Sequence, residues 1–348
     1  MFQNGIELIR YALLRNRYGE KKLPLLDRIT QKIRCIYHQF YYDLAVRGVL
    51  DTPPLTPGAM PLTVLSMVHS RDVMSYLVAI KSFARYVNPV QIVVVCDPSI
   101  TAIDRDNLQA HIPHVILRHA DEFTHSNIPR GGTWERLYAI SEYSRDSYVV
   151  QLDADTITML PPVEVIDAVM AKAAFVMSGN LGNVLMSLQE TEDNAASWGP
   201  PDPTETMQGT IERTIASYNL PAQARYVRGC SGFTGFPASD TMTDELLQFS
   251  KIMQARHGKR WEEWGTEQIT SNYLVANARN TTVLPFLSYG TPDVLHAESI
   301  MTHFIGFMRF TSDKYRVATI QTIRQLVSTQ SLKKAEVVLG SKASGTVQ

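Results

Sequence analysis

Ser147-Tyr148-Val149-Val150-Gln151-Leu152-Asp153-Ala154-Asp155-Thr156-Ile157-Thr158 is an apolar run of strand length that ends in two carboxylates one residue apart. Side chains alternate along an extended chain, so Asp153 and Asp155 are expected on the same side at a sheet edge, before the chain leaves through Pro161-Pro162. Two hard oxygen ligands at that spacing suit Mg²⁺ or Mn²⁺ completed by phosphate oxygens, since such ions are usually held by one or two carboxylates plus substrate. The same tripeptide also occurs as a turn that caps the next helix, and alone it leaves both readings open.

Upstream of this stretch the texture alternates. Leu62–Val68 reads as a buried strand, Ser70 as the cap of a helix carrying Tyr76, Leu77, Ile80, Phe83, Ala84 and Val87 on one face, and Gln91–Cys96 as the next strand. A strand over His114–Leu117, a helix opening at Thr133 and the strand Tyr148–Leu152 continue the βαβ rhythm. The expected fold is α/β, with a mostly parallel central sheet flanked by helices and its ligand at the carboxyl ends of the strands. His69-Ser-Arg-Asp after the first strand lacks the glycine fingerprint of a dinucleotide site, and no Gly-x-x-x-x-Gly-Lys loop occurs. Farther on, Gly199-Pro-Pro-Asp-Pro-Thr is a loop, Tyr226–Phe236 is rich in Gly and aromatic residues, and helices are expected over Asp244–Arg256 and Thr266–Ala278.

The 348 residues are 45% hydrophobic and 19% charged with a net charge of -1, which bounds a globular chain and gives no reason to expect a nucleic-acid partner. The charge is unevenly spread. Residues 1–50 carry Arg10, Arg15, Arg17, Lys21, Lys22, Arg28, Lys32, Arg34 and Arg47, and the tail after Arg309 is also basic, so the middle is acidic. Residues 6–48 look helical, with Ile6, Leu8, Ile9, Ala12 and Leu13, then Ile29, Ile33, Ile36, Tyr37 and Phe40, recurring at helical spacing and the Leu23-Pro24 step between them. Such an arm can pack on its host domain, on a second subunit in a homo-oligomer, or peripherally on an anionic membrane. Asp51-Thr-Pro-Pro-Leu-Thr-Pro-Gly reads as a linker.

Cys35, Cys96 and Cys230 form no Cys-x-x-Cys pair, which argues against a zinc site and a disulfide framework. With no signal-peptide pattern, the expected setting is cytoplasmic, or peripheral at the inner face of a membrane.

The strand with Asp153-x-Asp155 is preceded by Trp134-Glu-Arg136-Leu137 and followed by Glu267-Gln268 and His303-Phe-Ile-Gly306-Phe-Met-Arg309. In that order the pieces resemble a GT-A glycosyltransferase, with the closest likeness to glycosyltransferase family eight, over about residues 62–310. Arg309 stands where the family has lysine, Glu267-Gln268 where an Asp-Gln pair is usual, and Cys230-Ser-Gly-Phe where an asparagine-containing strand is frequent. The resemblance implies Mn²⁺ or Mg²⁺ on Asp153, Asp155 and His303, and a nucleotide-sugar donor, a UDP-sugar foremost, near Val68, His69, Asp97, Ala154 and Gly306. It further implies phosphate or sugar contacts from Arg136 and Arg309, and Glu267 and Gln268 facing the sugar ring. The acceptor would be a carbohydrate or glycolipid. Retention at the anomeric carbon is implied, whereas Glu267 acting as a general base would give inversion.

The organisation read from these features is a helical arm over 1–50, a linker over 51–61, a catalytic domain over 62–310 divided near 160, and a basic helix and tail over 311–348. Trp261 and Trp264 read either as a sugar-stacking platform or as helix packing, and Arg136 either as a ligand contact or as an ion pair with Glu135 or Glu142 on a helix surface. Among other functions, a haloacid-dehalogenase-type phosphotransferase needs Thr two residues beyond the second Asp, where Ile157 stands. A nucleotidyltransferase needs a Gly-rich basic loop that His69-Ser-Arg-Asp does not provide. The alternative from another class is a non-catalytic binding module of the same fold, against which stands that folding alone does not require both aspartates, His303 and Arg309 together.

Overall fold

The computed structural model describes residues 25–201 and 204–343. In chain order its elements begin with the helix α1 (Leu25–Val46), then β1 (Met60–Val68), α2 (Val73–Val87), β2 (Pro89–Cys96), α3 (Ala102–His111), β3 (Ile116–His119) and α4 (Trp134–Tyr143). There follow β4 (Tyr148–Leu152), β5 (Thr156–Thr158), α5 (Val163–Met170), β6 (Phe175–Ser178), β7 (Met186–Ser187), α6 (Leu188–Ala196) and α7 (Met207–Glu212). The last are β8 (Arg225–Tyr226), β9 (Gly229–Phe236), α8 (Met242–His257), α9 (Thr266–Asn277), β10 (Thr282–Leu284), β11 (Tyr289–Gly290), β12 (Met301–His303) and α10 (Lys314–Ala343).

Seven strands form the central sheet in the order β10-β6-β9-β4-β1-β2-β3. All neighbours are parallel except β9, which runs antiparallel to both β4 and β6. Alternation explains why both faces are covered. Leu62, Val64, Ile92, Val94, Tyr148, Val150, Phe175 and Met177 enter one apolar core, with α2 and α5. Their neighbours Leu65, Val93, Val95, Val149, Ala174 and Val176 enter a second, with α4, α8 and α9. The chain steps outward from β1 through β2 to β3 and returns on the other side of β1 as β4, so the reversal of strand order lies between β1 and β4. Ligands of open α/β sheets sit beyond the carboxyl ends of the strands at such a reversal, and Asp153 follows β4 directly there.

Several expectations change. Ser70 does not cap α2: a short 3₁₀ turn over Ser70–Asp72 precedes the helix, and the Ser70 hydroxyl instead donates to Asp104 at 2.7 Å. Trp261 is fully buried, its indole N–H donating to Ser250 at 2.9 Å, whereas Trp264 is 87% exposed, so they form no shared platform. The apolar face of α1 is not packed on the host domain: Ile29, Ile33, Ile36, Tyr37 and Phe40 all point outward. Ile6, Leu8, Ile9, Ala12 and Leu13 lie outside the described residues.

The Pro-rich segment is held down. Leu55 N–H donates to the His111 carbonyl at 2.9 Å, and the fully buried Lys81 donates to the Thr52 hydroxyl and Pro53 carbonyl, each at 2.7 Å, and to His111 Nδ1 at 2.9 Å.

Candidate metal centre

Asp153 and Asp155 do not lie on a continuing strand, as the alternation argument expects. They occupy the tight connection between β4 and β5, closed by the Thr156 hydroxyl donating to the Asp153 carbonyl at 2.9 Å. Two strands aim this turn. Asp153 N–H donates to the Gly232 carbonyl of β9 at 2.9 Å, while β12 pairs antiparallel with β5 and sets His303 opposite Thr156. Phe304 N–H then donates to the Asp155 carbonyl at 2.9 Å, so His303 is delivered beside both carboxylates by backbone pairing.

The result is one cluster. Ligand atoms of Asp153, Asp155 and His303 all lie within 4.8 Å of one another. His303 Nε2 is 3.0 Å from Asp155 Oδ1 and 3.7 Å from Asp153 Oδ2, and its other nitrogen, Nδ1, faces the Cys230 sulfur at 3.2 Å. A Cβ at Gly232 would overlap the imidazole ring, so only glycine lets β9 pass beneath it.

Cations alternate with the carboxylates. Arg136 bridges Asp153 and Glu267, the latter at 3.2 Å, and Arg309 bridges Asp155 and Asp72, the latter at 3.4 Å. Arg136 is therefore no helix-surface residue. Glu267 is 2% exposed and also accepts hydrogen bonds from Thr133 and Ser231, each at 3.2 Å, so its carboxylate faces Arg136 and these hydroxyls rather than open space. Gln268 lies apart from it and donates to Gln208 at 3.3 Å.

Burial alone would push both aspartates up. It prevails at Asp153 despite the Arg136 guanidinium, while at Asp155 the charges of His303 and Arg309 hold the carboxyl well below the usual carboxylate range. Burial works against the His303 imidazolium, but the Asp155 carboxylate overrides it and raises that group well above its ordinary value. Burial also raises Glu267 against the pull of Arg136.

The remaining residues picked from sequence are spread along the same edge. His69 Nε2 is 3.3 Å from Asp97 Oδ2, and Asp97 N–H donates to the Val68 carbonyl at 3.0 Å, which ties together the carboxyl ends of β1 and β2. Ala154 is the central residue of the aspartate turn, and Gly306 opens the 3₁₀ turn that leads to Arg309. Gly131, Gly132 and Thr133 all have positive φ (77°, 57° and 71°) in the turn that opens α4, and the Gly131 N–H donates to Glu135 at 2.7 Å.

Sequence reading missed the contacts of Asp72, Ser231 and Cys230 with the cluster. Asp72 belongs to the turn after β1 and could have been found by asking which acidic residues share the carboxyl edge. Nothing local marks Cys230 as the partner of His303, 73 residues away.

Two carboxylates and an imidazole in a partly buried turn fit a small divalent cation with nitrogen and oxygen ligands, and Mn²⁺ accepts such a mixed set. Cys230 on the far nitrogen supplies the outer contact that fixes a ligating imidazole.

No family model and no curated protein matches the chain. Among solved structures it aligns with the bifunctional glycosyltransferase WbbM at 16% identity and TM-score 0.44, over 78% of this chain and 51% of that one, so it spans about half the length of WbbM. It also aligns with galactosyltransferase LgtC in complex with donor and acceptor sugar analogs, at 11% identity and TM-score 0.42, over 75% of this chain and 95% of that one. A third is core-mannan synthase A from Aspergillus fumigatus in its Mn/GDP form, at 10% identity and TM-score 0.41, over 79% and 89%.

Proposed function

We propose that this chain is a metal-dependent glycosyltransferase of GT-A type that moves a sugar from a nucleotide diphosphate sugar to an acceptor hydroxyl. The observation that carries the reading is the convergence of Asp153, Asp155 and His303 at the carboxyl edge of the sheet, with Arg309 beside them. A phosphotransferase that forms an aspartyl intermediate needs a free carboxylate nucleophile, whereas both carboxylates here are shared between a histidine and arginines.

Asp153, Asp155 and His303 hold Mn²⁺ or Mg²⁺, which when bound supplies positive charge to the departing diphosphate. Arg309, whose guanidinium already spans two carboxylates, donates to the phosphate oxygens. Arg136 and Glu267 act from behind, fixing the orientation of Asp153. Val68, His69 and Asp97 line the base side, Ala154 and Gly306 lend backbone atoms near the diphosphate, and Gln268 stands toward the sugar. A UDP-sugar is the favoured donor and a carbohydrate or glycolipid the acceptor, with retention at the anomeric carbon as in glycosyltransferase family eight. The three free cysteines fit a reducing compartment.

Calorimetric titration of UDP and GDP, each with and without Mn²⁺, into wild type and Asp155→Ala tests the reading. Metal-dependent binding of one nucleotide that vanishes in the folded variant supports it and names the donor class. No binding to wild type under either condition contradicts it. NMR of the product linkage then decides stereochemistry, and an inverted product removes the family-eight analogy.

A further inference from the structure

We propose that the outward face of α1 docks on the headgroup region of an anionic lipid bilayer. Seven large apolar side chains on this helix are exposed: Ile29, Ile33, Ile36, Tyr37, Phe40, Tyr41 and Leu44, between 42% and 62% each. At helical spacing they cover an arc of about 140°. Soluble surfaces seldom carry a contiguous apolar ridge of this size without a partner.

The opposite face of the helix is anchored. Tyr42 is buried, stacks on Tyr315 of α10 with ring centroids 4.1 Å apart, and donates its hydroxyl to Ser75 at 2.8 Å. It also touches Phe310, the residue after Arg309, so the helix is fastened to the segment that carries the phosphate-side cation. An amphipathic helix with one face fixed and the other bare presents a surface.

Charge selects the occupant. The ridge is bordered by exposed Lys32 and Arg34 and followed by exposed Arg47, against Asp27 and Asp43 on the same helix. Residues 25–50 hold four Lys and Arg against two Asp and Glu, and residues 311–343 six against two, whereas the whole chain is at -1. The body between is therefore acidic. An anionic surface attracts the end formed by α1 and α10 and repels the rest, which orients the molecule as well as holding it. Two-fold pairing of the same ridge would bring two basic ends together, a cost that negatively charged headgroups remove. Tyr37, Phe40 and Tyr41 are side chains that suit the boundary between headgroups and acyl chains. None of the described helices is long and apolar enough to cross a membrane.

The test is co-sedimentation of the full chain with vesicles of phosphatidylcholine alone and of phosphatidylcholine mixed with phosphatidylglycerol, at low and high salt. Wild type is expected on the anionic vesicles, about tenfold or more weaker on the neutral ones, and weakened by salt. The double variant Ile33→Glu/Phe40→Glu, exposed at both positions and so expected to keep the wild-type circular dichroism and melting midpoint, should bind about tenfold or more weaker. Arg34→Glu, which leaves the apolar ridge intact, should flatten the salt dependence. Absence of wild-type binding, or undiminished binding by the double variant, overturns the proposal. So does self-association of wild type that the double substitution abolishes while vesicles bind neither protein, which would make a second copy the occupant.

Discussion

Two groups of cations in this molecule are held in opposite ways. Lys81 is fully buried among neutral acceptors, the Thr52 hydroxyl, the Pro53 carbonyl and His111 Nδ1. Arg136 and Arg309 sit between carboxylates, in a chain running from Glu267 through Arg136, Asp153, His303 and Asp155 to Arg309 and Asp72. The first arrangement gains little from the charge of the lysine, and burial lowers that group to about 8. The second depends on charge at every step and can exchange one positive partner for another. That is what a site receiving a cation and a diphosphate requires, and what a structural staple does not.

The largest effect should come from breaking the charged chain. Arg136→Met leaves the buried Glu267 and the half-buried Asp153 without their shared cation and should lower stability by about 3–5 kcal/mol, as urea unfolding at pH 7 would measure. Both carboxyls are already raised by burial. Raised folded-state values mean that the folded chain binds more protons, so part of the variant's loss should return as the pH falls toward 5.

At Lys81 the sign is the reverse. Its folded value of about 8 lies below the ordinary 10.5, so the unfolded chain binds more protons between those limits and stability rises with pH across that window. Relative to Lys81→Met, in which the tyrosines titrate identically, wild type should gain about 2–3 kcal/mol from pH 8 to pH 10.5. A parallel pair of unfolding curves would mean that Lys81 is hydrated in the folded protein.

Smaller changes separate geometry from charge. Gly232→Ala alters no charge but drives a methyl group into the His303 ring, and should cost about 1–3 kcal/mol of stability while abolishing tight Mn²⁺ binding. Cys230→Ala keeps the cluster and removes only the contact on His303 Nδ1, so Mn²⁺ affinity should fall about 10- to 100-fold with the fold intact. Equal metal binding in both variants would show that His303 is not a ligand.

What could be read before the structure was whatever a short stretch of chain decides. The strands around Leu62–Val68 and Tyr148–Leu152 and the parallel rhythm follow from local alternation, the aspartate pair from its place at the end of an apolar run, and His303 from its order after them. Contacts that depend on which strands become neighbours were out of reach. The partnership of Cys230 with His303 needs β9 beside β4 and β12 beside β5, and no local pattern encodes that pairing. Trp261 and Trp264 looked equivalent in sequence but part company because the 3₁₀ turn over Gly258–Glu262 points only the first into the core. The apolar spacing of α1 was legible as amphipathic; which face would be covered was not, since Tyr42 and Val46 rather than the longer stripe meet the body.

The central claim is that Asp153, Asp155 and His303 form a metal site completed by a nucleoside diphosphate. Titration of Mn²⁺ into the protein, followed by the electron paramagnetic resonance signal of the free ion, tests it most directly. The account predicts loss of signal at one ion per chain, tighter in the presence of UDP or GDP and absent in His303→Ala. A free-ion signal in wild type with nucleotide equal to that of the protein-free nucleotide control would contradict it.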